Sequence, residues 1–118
     1  MNNEQASIFR PDAAPLRLTF LVLSGCSIMC VASAVDPLRA ANRIAGEKRF
    51  DWRIVSPDGT PPVTTSGLPV AVEGRFDPGF GADVLVAVGG FGTRLGATPA
   101  LVKDFRRAAR AARAVGGV

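Results

Sequence analysis

Hydrophobic and polar positions change their period several times along the chain, and each change marks an element. Leu16 to Leu23 is almost continuously apolar, is too short for a helix and is closed by Gly25, so it reads as a strand buried on both faces of a parallel sheet. From Ser27 the pattern turns helical. Ile28, Val31, Val35, Leu38 and Asn42 fall on one side, with Ser27 as N-cap and an end near Gly46. Pro37 interrupts this segment, which predicts either a kink or a fresh start capped by Asp36. Phe50 to Val55 alternates Phe50, Trp52 and Ile54 with Asp51 and Arg53, the pattern of a half-exposed strand, and Pro57-Asp58-Gly59 turns the chain after it.

Val63 to Val72, broken at Ser66-Gly67, predicts a small hairpin, and a loop rich in proline and glycine follows from Glu73 to Gly81. Asp83 to Val88 returns to the buried pattern and runs into Gly89-Gly90-Phe91-Gly92. A last helix is capped by Thr98, has Pro99 in its first turn and carries Leu101, Val102, Phe105, Ala108, Ala109, Ala112 and Val115 as its apolar stripe until Gly116. Val115 to Val118 also has the look of a further buried strand opening. Residues 1–15 are polar, with prolines at 11 and 15, and read as a flexible tail ahead of a domain over 16–118.

Strands and long helices in alternation predict an α/β fold, a doubly wound, mostly parallel sheet with an inserted hairpin. At 118 residues the chain holds one small domain. With 47% hydrophobic and 20% charged residues it is globular in composition. Histidine and tyrosine are both missing, which excludes Ser/His/Asp and Cys/His nucleophilic pairs and histidine-containing zinc sites.

The net charge of +4 raises the question of a nucleic-acid partner, but five of the 14 basic residues, Lys103, Arg106, Arg107, Arg110 and Arg113, sit at spacings that give the solvated face of the last helix. Cys26 and Cys30 are the only thiols. They make at most half of a tetrahedral metal site and read as reduced packing residues, so no metal or cofactor is expected. Leu18 to Val31 imitates an export signal, with Leu23-Ser24-Gly25-Cys26 like a lipoprotein cleavage box and Ala32-Ser33-Ala34 like an A-x-A site. Ser24, Gly25 and Ser27 break the apolar run, however, and a helix-like segment follows, which favours a cytoplasmic protein. No run reaches the 18 apolar residues of a membrane span.

Ligands of open parallel sheets sit outside the carboxyl ends of the strands, so Ser24 to Ser27 and Gly89 to Arg94 are the candidate turns. The spacing Gly89-Gly90-x-Gly92 is not the dinucleotide fingerprint, because the helix begins only at Thr98.

Four ordered segments, Phe20-Leu21-Val22-Leu23-Ser24-Gly25, Ala34 to Arg43, Trp52 to Gly59 and Asp83 to Gly90, together resemble the amino-terminal half of the ThiJ/PfpI-like domain. The resemblance is nearest to the sensor domain of AraC-type transcriptional regulators of the GlxA group and covers about residues 16 to 118. It implies a flavodoxin-like, glutamine-amidotransferase-type fold. In enzymatic relatives, glycine amides after a strand, an acid in the first helix and a cysteine on a later elbow form the reactive centre. Those amides fall on Gly89 and Gly90, the acid position falls on Cys30, and the elbow would lie past Val118. A thiol cannot supply the carboxylate that polarises a nucleophilic cysteine.

The resemblance therefore implies a non-catalytic domain that senses a small-molecule effector at Gly25, Cys30, Gly89 and Gly90. It also implies a homodimer, no membrane, and contact with DNA only through a helix-turn-helix module absent from these residues. The competing expectations are an incomplete ThiJ/PfpI-type hydrolase or amidase and an exported lipoprotein.

Overall fold

A computed structural model describes residues 14–91 and 96–118. Seven elements follow in order: β1 (Leu16–Val22), α1 (Ile28–Ala45), β2 (Phe50–Ser56), β3 (Gly74–Arg75), β4 (Val84–Val88), α2 (Pro99–Ala111) and β5 (Ala114–Gly117). The strands form one sheet in the order β3-β2-β1-β4-β5, and every neighbouring pair is parallel. The doubly wound α/β architecture expected from the pattern, and the flavodoxin-like fold that the resemblance implied, are observed.

β1 is central, with Leu18 opposite Trp52 on one side and opposite Val84 on the other. Its alternation sends side chains into two cores. Phe20 and Val22 join Cys26, Val31, Val70 and Val88, against which Ile28, Ala34, Val35 and Leu38 of α1 pack. Leu21 and Leu23 join Val55, Phe76 and Leu85 on the opposite face, under Leu101, Phe105, Ala108, Ala109 and Ala112 of α2. A strand covered on both faces tends to be apolar throughout, as Phe20 to Leu23 and all of β4 are, whereas Arg17 and Thr19 keep an alternation in the first half of β1 like that of β2.

α1 begins where expected, with the Ser27 hydroxyl accepting from the Met29 N–H at 3.2 Å, and ends on Gly46 in the left-handed conformation. Pro37 does not divide it. The helix runs through, and Asp36 caps nothing but pairs with Arg39 at 2.8 Å one turn on. Asn42 reaches across to β2: its Oδ1 accepts from the Arg49 and Phe50 N–H groups at 2.8 and 2.9 Å, and its Nδ2 donates to the Phe50 carbonyl at 2.9 Å.

Three expectations change. The hairpin over Val63 to Val72 is short: one antiparallel bridge, Val63 to Pro69, flanked by bonds from the Val70 N–H to the Pro62 carbonyl at 2.9 Å and from the Thr64 N–H to the Leu68 carbonyl at 3.0 Å, while the Val63 carbonyl and the Thr65 N–H bond to Gly25 and Cys26. The loop from Glu73 to Gly81 contains β3, held by Gly74 and Arg75 against Val55 and Ser56. The last helix stops at Ala111, four residues before Val115. There the Arg113 and Ala114 N–H groups turn to the Asp83 carbonyl at 2.8 and 3.1 Å, and the open edge of β4 takes the following residues as β5. Most of the expected tail, and Gly92 to Arg94 of the second turn, lie outside the described residues. Among the described residues no helix is long and apolar enough to cross a membrane.

Candidate functional site at the carboxyl ends of β1 and β4

The chain leaving β1 returns through α1 to β2 on one side, and the chain leaving β4 returns through α2 to β5 on the other. Two neighbouring strands whose connections part in this way open a crevice at their carboxyl ends. Its walls are Ser24 to Ser27 after β1 and Gly89 to Phe91 after β4.

Gly25 turns the backbone at φ +84°, in the left-handed region that favours glycine. Its N–H donates to the Val63 carbonyl at 2.9 Å, and the Thr65 N–H donates to the Cys26 carbonyl at 3.0 Å, so the 63–68 loop is laced to this turn. Thr64, buried beneath it, closes the loop by donating its hydroxyl to the Leu68 carbonyl at 2.8 Å and accepting from the Leu68 N–H at 3.2 Å. The sequence pattern suggested that this segment pairs with itself, as the Val63–Pro69 bridge shows, and missed its docking on the rim. The signal was present in Thr64-Thr65-Ser66-Gly67, a run whose hydroxyls suit a backbone-binding turn.

Gly90 faces Cys26 in an isolated antiparallel bridge. A Cβ on Gly90 would run into the carbonyl oxygen of Gly25 and lie 3.0 Å from the Cys26 Cα, so the approach of the two strand ends requires glycine here. Gly89 is placed differently. Its N–H donates to the Val118 carbonyl at 3.1 Å, while the Val118 N–H donates to the Ala87 carbonyl at 2.9 Å, extending the β4–β5 ladder. The Gly89 amide is thus held within the sheet and does not face outward as the resemblance implied.

Cys26 is fully buried in the core against α1. Burial pushes its thiol above the ordinary 9.0, and the proximity of Cys30 adds to this, against a smaller lowering by a backbone hydrogen bond. Cys30, in the first turn of α1, is half-buried and packs against the same apolar cluster. The structure therefore brings Gly25, Cys26 and Gly90 into direct contact and sets Cys30 one helical turn beyond. Phe91 and Met29 stand exposed beside them. Among the described residues no group of three or more cysteines and carboxylates gathers as a metal site.

No family model matches the chain. It is 38% identical over 99 residues to the HTH-type transcriptional regulator CdhR of Pseudomonas aeruginosa, a match that takes 84% of this chain and 29% of that protein. It is 33% identical over 103 residues to the HTH-type transcriptional regulator GlxA of Rhizobium meliloti, covering 86% of this chain and 32% of the regulator. The crystal structure of an AraC family transcriptional regulator from Pseudomonas putida superposes with a TM-score of 0.75 at 28% identity, over 87% of this chain and 64% of that one. The chain is related to AraC-type regulators of the GlxA group. It spans about three-tenths of the length of the curated regulators it matches.

Proposed function

We propose that residues 16–118 belong to the effector-sensing domain of an AraC-type transcriptional regulator, and that the crevice between the carboxyl ends of β1 and β4 receives a small metabolite without transforming it. The observation that supports this reading is the contact of Gly90 with Gly25 and Cys26, which builds a backbone-lined rim at the carboxyl ends of β1 and β4. Cys26 is sealed in the core with its thiol held protonated, and Cys30, where an acid would be needed, offers an apolar-packed thiol. Gly25, Gly90 and Cys30 would wall the ligand, with Gly89 fixing the rim through its rung to Val118. The regulator would act in the cytoplasm as a homodimer, with base reading left to a helix-turn-helix module, as the names of the relatives suggest.

Two-dimensional amide spectra recorded against a panel of soluble metabolites test the reading. A binder is expected to shift Gly25, Cys26, Cys30 and Gly90 before any residue at the opposite end of the sheet. Binding that maps only elsewhere, or turnover of an ester or amide by the protein, would overturn it.

A further inference from the structure

α2 commits only one of its faces to the sheet. Leu101, Phe105, Ala108, Ala109 and Ala112 pack inward, whereas Lys103, Arg106, Arg107 and Arg110 are exposed. The ion pairs among the described residues occupy Arg39, Lys48, Arg49 and Arg53, and none reaches these four cations. Arg110 leans instead on the Arg106 carbonyl, its Nε donating at 3.4 Å. Lys103 with Arg107, and Arg106 with Arg110, are like charges four residues apart, an arrangement that disfavours an isolated helix. Only one acid, Asp104, shares the helix. Lys103, Arg106 and Arg110 share this exposed surface with Pro99 and Val102.

We propose that this face lies along the phosphate backbone of double-stranded DNA, as a sequence-independent contact added to the module that reads the bases. Lys103 to Arg110 extends about 10 Å at a rise of 1.5 Å per residue. A duplex presents one phosphate charge per roughly 1.7 Å of axis, so a stripe of this length can neutralise several at once. Guanidinium forks fit phosphate oxygens in pairs. Phe105 is turned into the core against Phe76, which leaves no ring on this face for stacking on unpaired bases and favours duplex over single strand. The choice of DNA among polyanions rests on the regulator reading above; the excess of unpaired positive charge does not.

The test is binding of the 118-residue protein to a fluorescent 20-base-pair duplex of random sequence, followed by anisotropy across a series of potassium chloride concentrations, with folding of every variant checked by circular dichroism. With four phosphates neutralised, the slope of log K against log salt is expected to be about −3.6, and Arg106→Gln with Arg110→Gln should bring it to about −1.8. Arg43→Gln with Arg75→Gln, an equal change of net charge elsewhere, should leave it unchanged. Equal effects of the two pairs would reduce the finding to net charge and overturn the proposal. So would the absence of duplex binding at low salt, or equally tight binding to polyglutamate, which would point to an acidic protein surface. No effector is used, so these outcomes are separate from failure of the sensing reading.

Discussion

The missing side chain of Gly90 is the space occupied by the carbonyl oxygen of Gly25. Two connections that diverge to opposite faces of the sheet are thereby brought back into backbone contact at one point.

Gly90→Ala is expected to destabilise the domain by roughly 2 kcal/mol, within the range for overpacking, because the atoms in its way belong to backbone and cannot rotate aside. Urea unfolding measures it. Gly96→Ala, with nothing within 4 Å of its would-be Cβ, is the comparison and should change stability little. Equal midpoints for the two variants would refute the tight approach.

The raised pKa of Cys26 has a defined pH signature. In the unfolded chain the thiol ionises near its ordinary 9.0, whereas the folded protein holds it neutral to higher pH. Its contribution to stability is therefore complete below pH 9 and is lost as the pH rises from there through the folded value. The melting temperature should fall over that interval, and less steeply in Cys26→Ala. Below pH 9, iodoacetamide should label Cys30 well before Cys26, as peptide mapping would reveal. Labelling in the reverse order would contradict the burial of Cys26.

Asn42 ties the end of α1 to the start of β2 through three hydrogen bonds. Asn42→Ala leaves two N–H groups and a carbonyl without their partner and should cost about 2 kcal/mol. Asn42→Asp keeps the acceptor for both N–H groups and should recover part of the loss. The unfolding free energies of the three proteins decide the matter, and a silent alanine variant would show that water replaces the side chain.

Asp83 gathers the starts of three strands. Its Oδ2 accepts from the Arg17 N–H at 2.9 Å, its N–H donates to the Arg17 carbonyl at 2.9 Å, and its carbonyl accepts from Arg113 and Ala114. Only the first of these bonds uses the side chain, and that bond is exposed, so Asp83→Ala should cost no more than about 1 kcal/mol. Hydrogen exchange at the Arg17 amide should accelerate more than at Phe20. Uniform acceleration along β1 would mean global unfolding and not a local release.

The sequence revealed most of the frame, because a strand buried on both faces and an amphipathic helix leave period signals that no other packing produces. Leu16 to Leu23, Phe50 to Val55, Asp83 to Val88 and the two N-caps at Ser27 and Thr98 are all where the pattern placed them. The errors arise where backbone competition decides. Ala114 and Val115 could continue a helix by composition, yet the edge of β4 takes them into β5, in keeping with the strand pattern also read at Val115 to Val118. Pro37 allowed either a kink or a fresh start, and packing of Val31, Val35 and Leu38 on the sheet carries α1 through it, which excludes the fresh start. At the site, the glycines after β1 and β4 were legible as turn residues, but the contact between Gly25 and Gly90 spans 65 positions and leaves no local trace. Asn42 was legible as lying on the same side of α1 as its apolar residues, but its bonds to the main chain at Arg49 and Phe50 were not.

The central place of β1 bears on the order in which the protein can assemble during synthesis. Leu16 must find Phe50 across 34 residues, a distance that α1 shortens, whereas Leu18 must find Val84 across 66. The β1–α1–β2 unit can close while the ribosome is still making the rest, but the other side of β1 stays uncovered until β4 emerges. For that interval a strand whose second half, Phe20 to Leu23, is wholly apolar is exposed to any chain nearby, so the growing polypeptide has more need of a chaperone before residue 88 than after it.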